Sequence, residues 1–195
     1  MSLSSLAAAC TAQTTLLTAL GTVLLARTES GLAGAWFERQ KAHPGTIAAP
    51  QLDDDPLLRS AASQLAEYLA GQRKHFELPL DLRGTDFQRK VWATLLEIER
   101  GRTSSYGDIA RRIGSPQAVR AVGAAVGRNP LSVIVPCHRV LGGDGSLTGY
   151  AGGLQRKGAL LRLEGVFETP TSSARHGARP SEKAQRYSAR PGVSP

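Results

Sequence analysis

The stretch SYGDIARRIGSPQAVRAVGAAVG, residues 105–127, decides the fold. Ser105 and Asp108 stand three apart ahead of Ile109 and Ala110, a spacing in which side chain and backbone cap each other at a helix start. The short helix this predicts runs through Arg112 and closes at Gly114. Ser115-Pro116 then offers a second N-cap with proline at the first helical position, predicting a helix to about Gly127. Two short helices across a Gly-Ser-Pro turn read as helix-turn-helix. The second carries Ala118, Ala121, Gly123, Ala124 and Ala125, so its backbone can approach another surface closely, and it projects Arg120. The same pattern also suits an ordinary helical corner inside a core, so the flanks must decide.

On the N-terminal side, Thr85 and Gln88 repeat the capping-box spacing ahead of Phe87, Val91, Trp92, Leu95, Leu96 and Ile98, which share one helical face until Gly101. On the C-terminal side, residues 131–135 (LSVIV) read as a buried strand ending abruptly at Pro136-Cys137-His138-Arg139-Val140. A glycine-rich loop around Tyr150 follows, then a helix over 154–163 that stops at Glu164-Gly165. Further upstream the grammar changes. Residues 1–40 hold short apolar runs broken at Gly21 and Ser30-Gly31, which suits an antiparallel hairpin or meander. A loop is expected over 41–50, a helix from Pro56 to Gly71 and an extended linker over 72–83. Residues 168–195 are poor in apolar side chains and read as a disordered basic tail.

The chain's 195 residues, 41% of them hydrophobic, allow one domain with a small companion and enough apolar surface for a core. The longest apolar run, residues 16–26, falls far short of the roughly 20 residues that span a bilayer. The first basic residue, Arg27, comes after that run, which is the wrong order for a secretory signal. Cys10 and Cys137 cannot build a disulfide framework, and free thiols in a reducing, intracellular compartment are expected. The net charge of +8 is unevenly placed: seven basic and eight acidic residues over 1–83, but twelve and seven over 84–169. A basic balance concentrated in one globular segment suggests a polyanionic partner, most often nucleic acid.

A cysteine between a rigid proline and a histidine, at the end of an apolar segment, is a candidate nucleophile. The thiolate is the reactive form, a neighbouring imidazole can take the thiol proton, and a carboxylate can hold that imidazole in the required tautomer. Glu164 is available for the last task. On the residues alone, Cys137 also fits a small buried apolar side chain. The four histidines and two cysteines show no CxxC or HxxxH spacing, so no metal site is expected.

The string VPCHRV (135–140) resembles the active-site signature of the O6-alkylguanine-DNA alkyltransferases, or methylated-DNA–protein-cysteine methyltransferases. The order and spacing of five further segments agree: GTDFQRKVW (84–92), SYGDIA (105–110), RAVG with RNP (120–123, 128–130), GYAGG (149–153) and LEG (163–165). The resemblance is close over 84–166 and weak over the first 80 residues, which correspond to the family's variable N-terminal domain. It implies an α+β fold: a small N-terminal α/β domain, ribonuclease H-like, over 1–80. A mainly helical, winged-helix-like catalytic and DNA-binding domain then spans 84–166.

The resemblance also implies roles. Cys137 accepts the alkyl group as a thioether, His138 takes the cysteine's proton by way of a water, and Glu164 orients His138. Asn129 braces the turn before the nucleophile, and Tyr106 donates to the guanine ring as the base leaves. Arg120 fills the vacated stack from the minor groove, with Ala118, Ala121, Gly123 and Tyr106 against the DNA. Pro136, Val140, Tyr150 and Ala151 line the base pocket. The implied partner is double-stranded DNA carrying alkylated guanine or thymine, met by a cytoplasmic monomer without a cofactor. The physical logic holds independently of the name. An alkyl group on O6 lies within the stack, so an attacking sulfur needs the base extruded. Two rivals predict otherwise: a damage sensor binds without transfer, and a Cys-His hydrolase turns over without a DNA surface.

Overall fold

In the computed structural model the residues described are 3–167. The expected tail over 168–195 therefore lies outside the described residues.

The chain opens with a short helix, α1 (Leu3–Ala9), and a three-stranded antiparallel meander, β1 (Ala12–Thr18), β2 (Gly21–Thr28) and β3 (Gly31–Phe37). The apolar runs noted above are these strands, and the breaks at Gly21 and Gly31 are their turns. At the first turn the Thr18 hydroxyl donates to Gly21 O at 2.6 Å and accepts from Leu20 N at 3.1 Å. Every residue of β3 is buried, because the sheet is covered on both faces. Leu32, Ala35 and Phe37 join the core that contains Leu58, Ala61, Leu65 and Tyr68 of helix α2 (Pro56–Leu69). Ala33 and Trp36 pack with Leu6, Ala7 and Cys10 from the α1 side, and with Ile47. The start of α2 is set by Asp55, whose carboxylate accepts from Leu57 N and Leu58 N, with Pro56 following.

The second half begins at α3 (Asp86–Leu96), where Thr85 and Gln88 form the reciprocal capping box expected of them. Ser105 and Asp108 do the same for α4 (Tyr106–Arg112). Helix α5 (Val119–Gly127) packs on α3, where Trp92 Nε1 donates to Ala125 O at 2.9 Å. Its start corrects the sequence expectation. Ser115 is not the N-cap; Ala118 occupies that position without a side-chain bond. Ser115 is spent on the preceding helix: its N–H donates to Ala110 O and that of Gly114, at φ 72°, to Arg111 O. That pair of bonds is the Schellman closure of α4; the Ser115 carbonyl then accepts from Ala118 N in a single turn, and the next helix starts three residues later.

The strand expected over 131–135 is a second correction. Leu131 alone makes a bridge, to Ala35, and the chain then curls through turns with Val133 at φ 73°. The cause is Asn129: its carbonyl accepts from Leu131 N, and its amide donates to Val135 O and, at longer range, Leu131 O. A side chain offering the backbone local bonds competes with a strand ladder, and here it wins.

A single 3-10 turn, Cys137–Arg139, follows, then a two-residue strand β5 (Val140–Leu141) paired in parallel with β4 (Ser104–Ser105). Helix α6 (Leu154–Leu163) ends with Glu164 in the C-cap position. One hydrophobic cluster runs from Ala12 through Leu160, so the two halves share a core. The outer edge of β3 is closed from both: Leu32 N donates to Pro79 O, Ala35 N to Pro130 O, and Ser132 N back to Ala35 O.

Candidate active site

Cys137 sits at the first position of the 3-10 turn, 2% exposed, with its Sγ accepting from Asn129 Nδ2 at 3.0 Å. The Asn129 amide that curls the preceding segment therefore also touches the sulfur. His138 is fully buried, and its Nε2 lies 2.5 Å from Glu164 Oε1. Its Nδ1 is buried and has no partner among the described residues. Arg139 completes the turn: its Nε donates to Glu164 Oε2 at 2.8 Å and its Nη2 to Oε1 at 3.3 Å. Arg139 also donates to Ile98 O. The hydroxyl of Tyr68, from α2 in the other half of the chain, donates to Glu164 Oε1.

Charge follows from this geometry. Burial by itself raises the Glu164 carboxyl, but donation from His138, Arg139 and Tyr68 outweighs it and holds the group at about 2. Glu164 is thus a carboxylate, which keeps the His138 proton on Nε2 and leaves Nδ1 as the basic nitrogen. Burial pushes the imidazole below its ordinary range against the pull of Glu164. Burial also pushes the Cys137 thiol up to about 11, against the opposing influence of Asn129 and Lys157. The resting pair is therefore a neutral thiol and a neutral imidazole.

The residues expected to line a base pocket come from two segments of the chain: Val140 is fully buried, and Pro136, Tyr150 and Ala151 are buried as well. The Tyr150 ring meets His138 edge-on at 6.4 Å between centroids. The loop carrying Tyr150 is held by Lys157 of α6, whose ammonium donates to the carbonyls of Val140, Thr148 and, at 3.4 Å, Gly149. Burial takes this lysine down to about 8. Tyr106, first residue of α4, reaches the same loop: its hydroxyl donates to Gly149 O at 3.2 Å. A Cβ at Gly149 (φ 47°) would stand 2.8 Å from that hydroxyl, so only glycine suits both the backbone and the contact. Burial raises Tyr106 above its ordinary value, which keeps it a proton donor at neutral pH.

The remaining residues predicted to face DNA lie together at the start of α5. Arg120 and Ala121 of α5 are exposed, Ala118 is partly exposed at its N-cap, and Gly123 faces the Tyr106 ring, which a Cβ there would meet in ordinary contact at 3.8 Å. Arg120 has no ionic or hydrogen-bonding partner among the described residues. Three functional side chains carried no readable signal. Tyr68 looks like one more apolar position on α2, and Lys157 like a solvated charge on α6. Arg139 lies inside the quoted signature, yet nothing local shows that it pairs with a residue 25 positions away. Cys10 stands apart, buried, donating to Leu6 O at 3.3 Å. Among the described residues no group of three or more His, Cys, Asp or Glu could hold a metal, and no helix is long and apolar enough to cross a membrane.

Comparison with known proteins identifies the family. Residues 86–166 match the family described as 6-O-methylguanine DNA methyltransferase, DNA binding domain, and residues 12–82 match its ribonuclease-like domain. The methylated-DNA–protein-cysteine methyltransferase of Methanosarcina acetivorans is 47% identical over 148 residues, 75% of this chain and 93% of that one. That of Mycobacterium tuberculosis is 57% identical over 111 residues, 57% of this chain and 67% of that one. The crystal structure of Mycobacterium tuberculosis OGT in complex with DNA superposes with a TM-score of 0.71 at 46% identity, covering 78% of this chain and 92% of that one. With both halves matched in order and the buried Cys-His-Glu set in place, the chain belongs to the family of methylated-DNA–protein-cysteine methyltransferases.

Proposed function

We propose that this transferase repairs duplex DNA by moving the alkyl group of O6-alkylguanine onto Sγ of Cys137, once per molecule. The observation that carries the assignment is the buried thiol held by Asn129, next to a histidine whose Nε2 is committed to Glu164. His138 Nδ1, without a partner among the described residues, draws the thiol proton through one water as the sulfur attacks the alkyl carbon. The S–C bond forms, the C–O6 bond breaks, and its electron pair stays on the guanine. Tyr106 protonates the departing ring, since a guanine anion is a poor leaving group. The imidazolium formed on His138 is stabilised by the Glu164 carboxylate. The imidazolium then releases its proton to solvent and the Tyr106 phenolate regains one, so that overall S–H and O6–alkyl become S–alkyl and neutral guanine. A thioether is not easily cleaved, so no second cycle follows and no cofactor is needed.

The base reaches so deeply buried a sulfur only when it is rotated out of the duplex, which costs a few kcal/mol. Small residues on α5 allow a close approach to the minor groove, and Arg120, exposed and unpaired among the described residues, is the side chain we assign to the vacated stack. O4-alkylthymine offers sulfur the same kind of alkyl carbon and is a second candidate substrate. We further infer a monomer working in the cytoplasm, as a single chain carries every group named in the reaction.

The test is intact-protein mass after incubation with a duplex holding one O6-methylguanine, beside Cys137→Ser. The expected result is a gain of one methylene, capped at one per molecule, on the wild type alone. Tight lesion binding without any gain would replace transfer by damage sensing, and a gain on Cys137→Ser would move the acceptor elsewhere.

A further inference from the structure

The Cys137–His138–Glu164 set does not end at Glu164. We propose that Tyr68 is a positioning residue for the transfer: its hydroxyl shares the Glu164 carboxylate with His138 and so sets how readily His138 takes the Cys137 proton. This rests on the assignment of Cys137 as acceptor and extends it to a residue of the N-terminal half.

The direction of the Tyr68 proton follows from its neighbours. Arg139 Nη2 lies 3.1 Å from the Tyr68 hydroxyl oxygen and can only donate to it. The phenol's own hydrogen is then free to point at Glu164 Oε1, the oxygen that also faces His138 Nε2. Oε1 therefore serves Tyr68, His138 and, more distantly, Arg139, while Oε2 serves Arg139 alone. Donors to one carboxylate oxygen compete for the same charge, and in a buried site each is felt strongly by the others. A strong donor at Tyr68 leaves Glu164 a weaker partner for the imidazole, and its loss makes the imidazole more basic.

Packing alone gives no reason for the hydroxyl. The Tyr68 ring is fully buried, with Phe76 at 4.9 Å and the Arg100 guanidinium over its face at 5.9 Å, contacts that a phenylalanine keeps. Lys74 and His75 line the small cavity beside it. The groups facing His138 are Glu164, Arg139, Lys157 and the Tyr150 ring, and none of these side chains is altered by removing the Tyr68 hydroxyl.

The experiment is the pH profile of single-turnover methyl transfer from an O6-methylguanine duplex, with the His138 titration followed by NMR. Three proteins are compared: wild type, Tyr68→Phe, and the chain carrying 3,5-difluorotyrosine at position 68, whose phenol is a stronger donor. In Tyr68→Phe the acid limb and the His138 titration move together to higher pH, by about half a unit to one unit. The fluorinated protein moves both to lower pH, and that arm decides the question should Tyr68→Phe not fold. Limbs at the wild-type position in proteins that still transfer would overturn the inference and leave Tyr68 a packing residue. A wild type that takes up no methyl group would instead overturn the assignment of Cys137.

Discussion

The two halves of the chain are held together by different physics. Residues 12–82 bury Leu, Ala, Phe and Trp side chains on the two faces of a meander, and of their buried polar side chains only Asp55, which caps α2 and pairs with the half-buried Arg27, carries charge among the described residues. Residues 86–166 bury charge as well: Arg139, Lys157 and Glu164 lie inside, each satisfied by a partner of fixed geometry. The first half holds no reacting group, yet the second is incomplete without it. Tyr68 donates to the buried carboxylate, Gln40 accepts from Ser132, and Lys41 N donates to Ala151 O. The contrast teaches that the chemistry is local to one half while its electrostatic setting is assembled from both.

The largest effect should come from opening the charged core. Glu164→Ala leaves Arg139 buried without its carboxylate and Tyr68 without its acceptor, an uncompensated charge that costs about 3–5 kcal/mol. Urea unfolding should show that loss, and mass measurement should show no methyl uptake in variant that remains folded. The pH dependence separates this from ordinary packing damage. In the wild type the carboxyl is depressed to about 2, so its stabilisation is present above the ordinary glutamate value and is lost as pH falls from there towards 2. Glu164→Ala should lack that part of the acid dependence. Equal acid slopes in the two proteins would mean that the network does not stabilise the fold.

What the sequence disclosed follows the same division. The capping boxes at Thr85/Gln88 and Ser105/Asp108 were legible because donor and acceptor lie three residues apart and need nothing else. The span of α6 was legible from its pattern between a glycine loop and Glu164-Gly165. The failures came where one residue had two possible uses. Ser115-Pro116 looks like a helix start, but Ser115 both closes α4 through its N–H and opens a single turn through its carbonyl, which accepts from Ala118 N. Residues 131–135 have strand composition, but the Asn129 side chain bends them into the turn that presents Cys137. Tyr68 was illegible for another reason: its partner is 96 residues away, and only the shared core brings them together.

A milder substitution in the N-terminal half sharpens the comparison. Gln40 Oε1 accepts from Phe37 N and from Ser132 Oγ, both at 2.9 Å, and so ties the end of β3 to the segment that leads to Cys137. Gln40→Leu strands both donors, at a cost of about 1–3 kcal/mol. The low end is expected, because the Gln40 Nε2 that leaves has no partner among the described residues. Chemical denaturation should place the loss near 1 kcal/mol, with methyl transfer slowed less than about tenfold. Unchanged stability and rate would mean that this tie does not brace the site.

Arg120→Ala should have the smallest effect on stability and separates the buried chemistry from the exposed DNA surface. The side chain is exposed and makes no ion pair or hydrogen bond among the described residues, so the unfolding free energy should stay within about 0.5 kcal/mol of wild type. Arg120 is also the second residue of α5, where a cation opposes the helix dipole, so its removal pushes any change towards stabilisation. Transfer from a duplex should nevertheless fall by tenfold or more, since a side chain offsetting even about 1.4 kcal/mol of extrusion accounts for that factor. Transfer from free O6-methylguanine base, where nothing is extruded, should be unchanged, because Cys137, Asn129 and His138 are untouched. A variant slowed equally on free base and duplex would place Arg120 at the pocket itself. Loss of stability would show that α5 draws packing from this arginine, and the line between a charged core and a surface reserved for DNA would have to be redrawn.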